Sequence, residues 1–205
     1  MPKYDTPYPP GRSPADPEKP KMPFLPAKKL FTVGNITSLA VLLAVRAILN
    51  LPILTIYITP QFKLITFSYV ADAIAAMLFG PVAAIAFGFL GDLLGFFLQG
   101  GTGGAYFPGF ALSEMLSCFI FAMFLYMHEI RVRRLIICWF LNLALVLLGL
   151  NSLWLIIIYG MPATTVFAAA RLISNLVQSP IHIAILFFLL PQVRKLYGKL
   201  ATGRQ

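Results

Sequence analysis

Six long apolar runs, parted by prolines and glycines, take up most of this 205-residue chain. A helix needs about 20 apolar residues to cross a bilayer. The runs at 30–51, 63–79, 81–99, 106–128, 134–158 and 163–190 approach or exceed that length. The expected fold is an all-α integral membrane protein with six transmembrane helices. Breakers fall between the runs: Pro52 and Pro60 bracket a loop, Gly80-Pro81 reads as a tight turn, Gly100, Gly101, Gly103 and Gly104 form a joint, and Gly160 with Pro162 marks another turn. The second span is the weakest, being short and carrying Asp72. Charged residues make up 11% of the chain, against about 25% in soluble domains. That excludes a soluble globular enzyme. Cys118 and Cys138 sit inside apolar runs and read as small apolar side chains rather than a disulfide framework.

A net charge of +9 invites a nucleic-acid reading, but its distribution argues against one. Of the 16 basic residues, 13 cluster in the first 29 positions, in the Arg131–Arg134 loop and in the C-terminal tail. With six spans and a cytoplasmic N-terminus, all of these clusters face inward. The outer segments 52–62, 100–105 and 159–162 have no share in them. This is the positive-inside pattern. Both termini are therefore expected in the cytoplasm of a bacterial cell, with the chain multi-pass in its membrane. The expected division is a Pro-rich flexible tail over 1–27, a six-helix domain over 28–195 and a basic tail over 196–205.

Ionisable groups inside a span cost about 2.5–3.5 kcal/mol each on insertion scales, so their depth is informative. At 1.5 Å per residue, Arg46 lies roughly 8 Å below the outer surface, Asp92 roughly 10 Å, Glu114 and Arg171 roughly 12 Å, and Asp72 roughly 14 Å. Lys63 opens its span at that surface. Charge from five spans thus shares the outer half of the membrane. One reading is mutual neutralisation; the other, preferred here, is an outward-facing ligand cavity. Tyr106, Phe107 and Phe110 follow the glycine joint, and Trp154 and Tyr159 end the fifth span at the same level. Apolar walls with a few polar groups are the usual form of a small-molecule site. Asn151 and Asn175 complete the candidate binding set. Arg171, Asn175, Gln178 and His182 share one helical face, with His182 read as a hydrogen-bonded interior histidine and not a metal ligand. Ala84, Gly88, Gly91 and Gly95 form a packing stripe. Ala40, Ala44 and Ala47 form another, which fits either core packing or a docking surface.

Neither a phosphate-binding G-x-x-x-x-G-K-[ST] motif nor H-E-x-x-H, G-x-S-x-G or C-x-x-C occurs. The chain is read as a non-enzyme with no cofactor or metal of its own. Uphill transport would need ATP used by a partner, or an ion gradient.

The elements Ala40-Val41-Leu42-Leu43-Ala44 followed by Arg46, Met77-Leu78-Phe79-Gly80-Pro81, Gly91-Asp92-Leu93-Leu94-Gly95, Tyr106-Phe107-Pro108-Gly109-Phe110, and Trp154 followed by Tyr159-Gly160 carry a resemblance. Over residues 30–195 the chain resembles the substrate-binding S components of energy-coupling-factor (ECF) vitamin transporters, the folate type in particular. The resemblance implies six helices with both termini inside, and a vitamin site near the outer face capped by the 52–62 loop. It also implies association with a transmembrane coupling protein and two ATPase subunits, with Ala40 and Ala44 at the coupling surface. Transport would proceed by toppling of the S component in the membrane. Folate suits the candidate residues: Tyr106, Phe107, Phe110 and Trp154 offer stacking surface for the pterin, and Glu114 or Asp92 an acceptor for its amino edge; of the basic residues at that level, Arg46, Lys63 and Arg171, Arg46 or Lys63 is expected to bind its glutamate. Another aromatic vitamin, thiamine or riboflavin, is the alternative within the family. A membrane enzyme using Asp92 and Glu114, or a non-transporting scaffold, are the readings outside it.

Overall fold

The computed structural model describes residues 32–51, 56–59, 62–65, 67–98, 106–160, 162 and 169–202. The Pro-rich segment 1–27 and the glycine joint 100–105 lie outside the described residues. Helix α1 spans Val33–Leu49, and strands β1 (Ile56–Thr59) and β2 (Phe62–Ile65) follow it. Then come α2 (Ser68–Leu98), α3 (Pro108–Leu125) and α4 (Val132–Leu141). A π-helical segment over Asn142–Asn151 continues α4 directly into α5 (Ser152–Tyr159), and α6 covers Ala169–Thr202.

The two strands are a departure from the expected loop. They pair antiparallel, with Tyr57 opposite Lys63, and β2 runs beside α6. Ile-Tyr-Ile-Thr and Phe-Lys-Leu-Ile are rich in β-branched and aromatic residues, which suit a pleated ribbon. Lys63 therefore belongs to the ribbon, and the helix that was expected to begin there begins at Ser68.

Helix α2 folds back on itself. Arg46 bonds Asp72 at 2.6 Å, and its guanidinium also lies against Gly91. In a straight helix those two positions would be about 28 Å apart. The reversal is at Gly80, whose φ of 84° and ψ of −176° belong to a region that only glycine adopts readily. Pro81 then opens the second limb, where its missing N–H costs nothing. The first limb is buried without interruption from Val70 to Gly80. A helix buried on every face belongs at the centre of a bundle, and this one supplies the largest share of the core. On the second limb Ala84, Gly88, Gly91 and Gly95 are all buried, as the packing stripe implied. There α3 comes so near that a Cβ on Gly88 would stand 2.7 Å from the Glu114 carbonyl oxygen.

Several elements meet at one end of the bundle. The Tyr126 ring, just beyond α3, packs against Gly80. The Tyr197 hydroxyl donates to Asn35 Oδ1 at 3.1 Å, and its ring meets Phe79 edge-on. Arg194 donates to the His128 carbonyl at 2.8 Å. The start of α1, the Gly80 reversal, the end of α3 and the last turns of α6 are thereby held together. Helix α6 runs to Thr202, so the tail boundary expected at residue 195 falls inside a helix.

Among the described residues, four stretches are long and apolar enough to cross a membrane: Ser68–Leu98, Pro108–Leu125, Val132–Ile158 and Asn175–Gly198; Val33–Leu49 is apolar but shorter. Phe97, Phe140, Ile157 and Phe188 each expose 60% or more of their surface. An outer face of that kind suits lipid and would be an aggregation liability in water.

Candidate functional site

A buried charge cluster anchors the interior. Arg46 is 4% exposed and Asp72 3%. The guanidinium gives Nε–H to Asp72 Oδ1 at 2.6 Å and Nη2–H to Glu114 Oε2 at 3.0 Å. Helix α1, the first limb of α2 and α3 each contribute one charge. The absence of a side chain at Gly91 leaves room for the arginine head, because a Cβ there would collide with the guanidinium. The three groups sum to one negative charge. Glu114 carries the exposed part of it, its side chain being 38% accessible.

Two aromatic groups stand around the start of α3. Tyr106 donates to Asp92 Oδ2 at 3.2 Å and meets Phe96 edge-on. Phe107 packs edge-on against both Phe110 and Trp154, and Trp154 Nε1–H donates to Ser113 Oγ at 3.1 Å.

A cavity of about 200 Å³ lies between α2, α3, the α4–π segment and α6. Glu114, Asn151 and Asn175 line it, as do Tyr69, Ser117, Trp139, Asn142 and His182. Tyr69 and His182 stack, with ring centroids 3.9 Å apart. Four of these lining residues hold buried atoms without a hydrogen-bond partner among the described residues: Tyr69 Oη, Asn142 Oδ1, Asn151 Oδ1 and His182 Nε2. Buried polar atoms are normally paired, and an unpaired one costs about 1–3 kcal/mol. Four such atoms border one hollow among the described residues. His182 is interior, as expected, but the expectation of a satisfied ring fails at Nε2.

The candidate set is thus distributed over three places. Arg46 belongs to the ion cluster. Glu114 joins that cluster to the cavity, which Asn151 and Asn175 also reach. Asp92, Tyr106, Phe107, Phe110 and Trp154 form the aromatic groups beside α3 and are not among the cavity's lining residues. Lys63 lies on β2 and Arg171 on α6, with side chains outside the described residues. Ala40 and Ala44 are exposed on α1. Tyr69, Ser117, Trp139 and Asn142 were missed. Asn142 alone had a signal, an amide inside an otherwise apolar run.

Residues 34–193 match the family described as ECF transporter, substrate-specific component. The folate transporter FolT of Clostridium novyi (strain NT) is 33% identical over 123 residues, covering 60% of this chain and 70% of the relative. FolT of Leuconostoc mesenteroides subsp. mesenteroides is 28% identical over 155 residues, covering 73% and 83%. A solved crystal structure of FolT bound with folic acid superposes with a TM-score of 0.70 at 28% identity, covering 78% of this chain and 95% of that one.

Proposed function

Since the chain belongs to the substrate-specific components of ECF transporters, a family of transport components and not of enzymes, we propose that it binds folate and delivers it inward. The observation that carries the ligand is the polar cavity within a fold shared with a folic-acid-bound relative. Its lining is rich in acceptors: the Glu114 carboxylate and the bare oxygens of Asn142 and Asn151. A pterin presents an amino group and a ring N–H side by side, and such an edge needs acceptors. At about 200 Å³ the cavity is below the usual 300–1,000 Å³ of a drug-sized site. It suits the ring system, with the rest of the vitamin reaching outward past Asp92, Tyr106, Phe107, Phe110 and Trp154. Arg46 already serves two carboxylates, which leaves Lys63 and Arg171 as the cationic contacts for the glutamate. Asn175 supports the ligand from α6.

The topology belongs to the same proposal. With the α2 reversal, the chain makes six passes, and both termini are cytoplasmic by the placement of basic residues. The protein then lies multi-pass in a bacterial cell membrane. A transmembrane coupling protein and two ATPase subunits complete the importer, and ATP is hydrolysed by those partners. The 1–27 segment is a cytoplasmic extension in this scheme.

Binding of radiolabelled folic acid to the purified protein in detergent tests the ligand. The expected result is saturable binding that excess unlabelled folic acid displaces, and riboflavin or thiamine does not. Saturable binding of radiolabelled riboflavin or thiamine, with none of folic acid, assigns the site to the other vitamin and ends the folate reading.

A further inference from the structure

Residues Asn142–Asn151 wind as a π-helix. A run of ten residues in this form is long, since π turns usually occur singly and often at functional sites. Its consequence for the two asparagines can be worked out. At 100° per residue, nine steps of α-helix would place Asn151 about 180° from Asn142, on the opposite face. An i→i+5 turn takes more residues than the α-helix's 3.6, and this lag carries Asn151 round toward the face of Asn142. Both asparagines do line the one cavity, together with Leu143, Val146 and Leu147 from the same segment. The orientation of Asn142 is fixed as well. Its Nδ2 donates to the Cys138 carbonyl at 3.1 Å, and a carbonyl can only accept, so Oδ1 is the atom left without a partner among the described residues.

We propose that this π segment is the specificity element of the binding site: it turns Asn142 and Asn151 toward one cavity, where the bare carbonyl oxygen of Asn142 selects a ring edge that donates hydrogen bonds and that of Asn151 takes a second donor of the same ligand. The inference rests on the folate reading and deepens it. A 2-amino-4-oxo-pyrimidine edge offers an N–H₂ and an N–H next to one another. A flavin's pyrimidine edge offers carbonyl, N–H and carbonyl, so it sets acceptor against acceptor and leaves the buried oxygens unpaired. Asn142 is the amino-edge receptor and Asn151, about two turns further along the segment, contacts a second donor of the same ligand.

The test pairs a change in the protein with a change in the ligand. The probes are folic acid and its 2-desamino-2-methyl analogue, measured by calorimetry on detergent-purified protein. Wild type is expected to bind the analogue at least tenfold more weakly. Asn142→Leu is expected to weaken folic acid at least tenfold and to bind the two ligands within threefold of each other, because the discriminating oxygen is gone. Asn151→Leu weakens both ligands and retains the discrimination. A structural role for Asn142 would lower both affinities together and leave their ratio intact, which would overturn the proposal. Wild type that binds folic acid but accepts the analogue equally well also overturns it, whether or not any variant folds. Wild type that does not bind folic acid at all ends the functional reading itself, and this inference with it.

Discussion

Arg46 shows how one buried side chain organises three helices and sets limits on its neighbours. Its guanidinium joins Asp72 and Glu114, and only a residue without a side chain fits at Gly91 beside it. Breaking a buried pair by removing one partner costs about 3–5 kcal/mol, because the abandoned charge stays buried. Arg46→Ala is expected to lose that much stability, as Asp72 has little access to water. Gly91→Ala forces the guanidinium aside and is expected to cost about 1–3 kcal/mol in the wild-type background. In the Arg46→Ala background the same substitution should cost less than about 0.5 kcal/mol, because the atoms it would strike are absent and the two effects are not additive. Unfolding of the four proteins in detergent micelles measures this cycle. Equal costs for Gly91→Ala in both backgrounds would mean that the glycine is there for another reason. The sequence indicated a charge cluster at one depth, but not which groups pair. Arg46, Asp72 and Glu114 are far apart in the chain, and pairing depends on how three helices face one another.

Among the elements, the reversal inside α2 has the clearest backbone cause. Gly80 occupies a conformation that costs other residues about 1–3 kcal/mol, and the Tyr126 ring lies 3.1 Å from where its Cβ would be. Two separate penalties therefore act on Gly80→Ala. Tyr126→Ala removes the contact and leaves the backbone strain. Gly80→Ala is accordingly expected to cost at least about 1 kcal/mol even in a Tyr126→Ala protein, as read from thermal unfolding. Full relief in the double variant would place the penalty in the side-chain contact alone. This turn was legible, since Gly-Pro between two apolar runs is strong punctuation. The β1–β2 ribbon was not. Its residues are as apolar as a helix, and a short apolar run does not distinguish strand from span. The π segment was hidden for a different reason. Hydropathy records which residues are apolar, not how many make a turn, and under α-helical winding Asn142 and Asn151 point apart.

At the scale of the whole molecule, the distribution of polarity constrains how partners are recognised. Arg46 and Asp72 are buried within the bundle, while Phe97, Phe140, Ile157 and Phe188 face outward. A bundle with such a coat offers a membrane partner little charge to recognise. Lipid tails are as apolar as the side chains, so association there depends on close backbone approach over small residues. Helix α1 provides this on its outer side: Ala40 and Ala44 are exposed, flanked by Val41 and Ile48, while Arg46 on the opposite side holds the interior together. One short helix thus has an inward task in folding and an outward one in the proposed assembly, and the two are separable by substitution. Ala40→Trp and Ala44→Trp fill the outer face without touching the ion cluster or the cavity. Each is expected to abolish co-purification with the coupling protein and ATPases and to reduce folate uptake by cells at least tenfold, while folic acid affinity of the isolated protein stays within twofold of wild type. Uptake that persists would move the docking face off α1. Affinity that falls together with uptake would instead mean that this alanine face packs within the bundle, the other role open to a small-residue stripe.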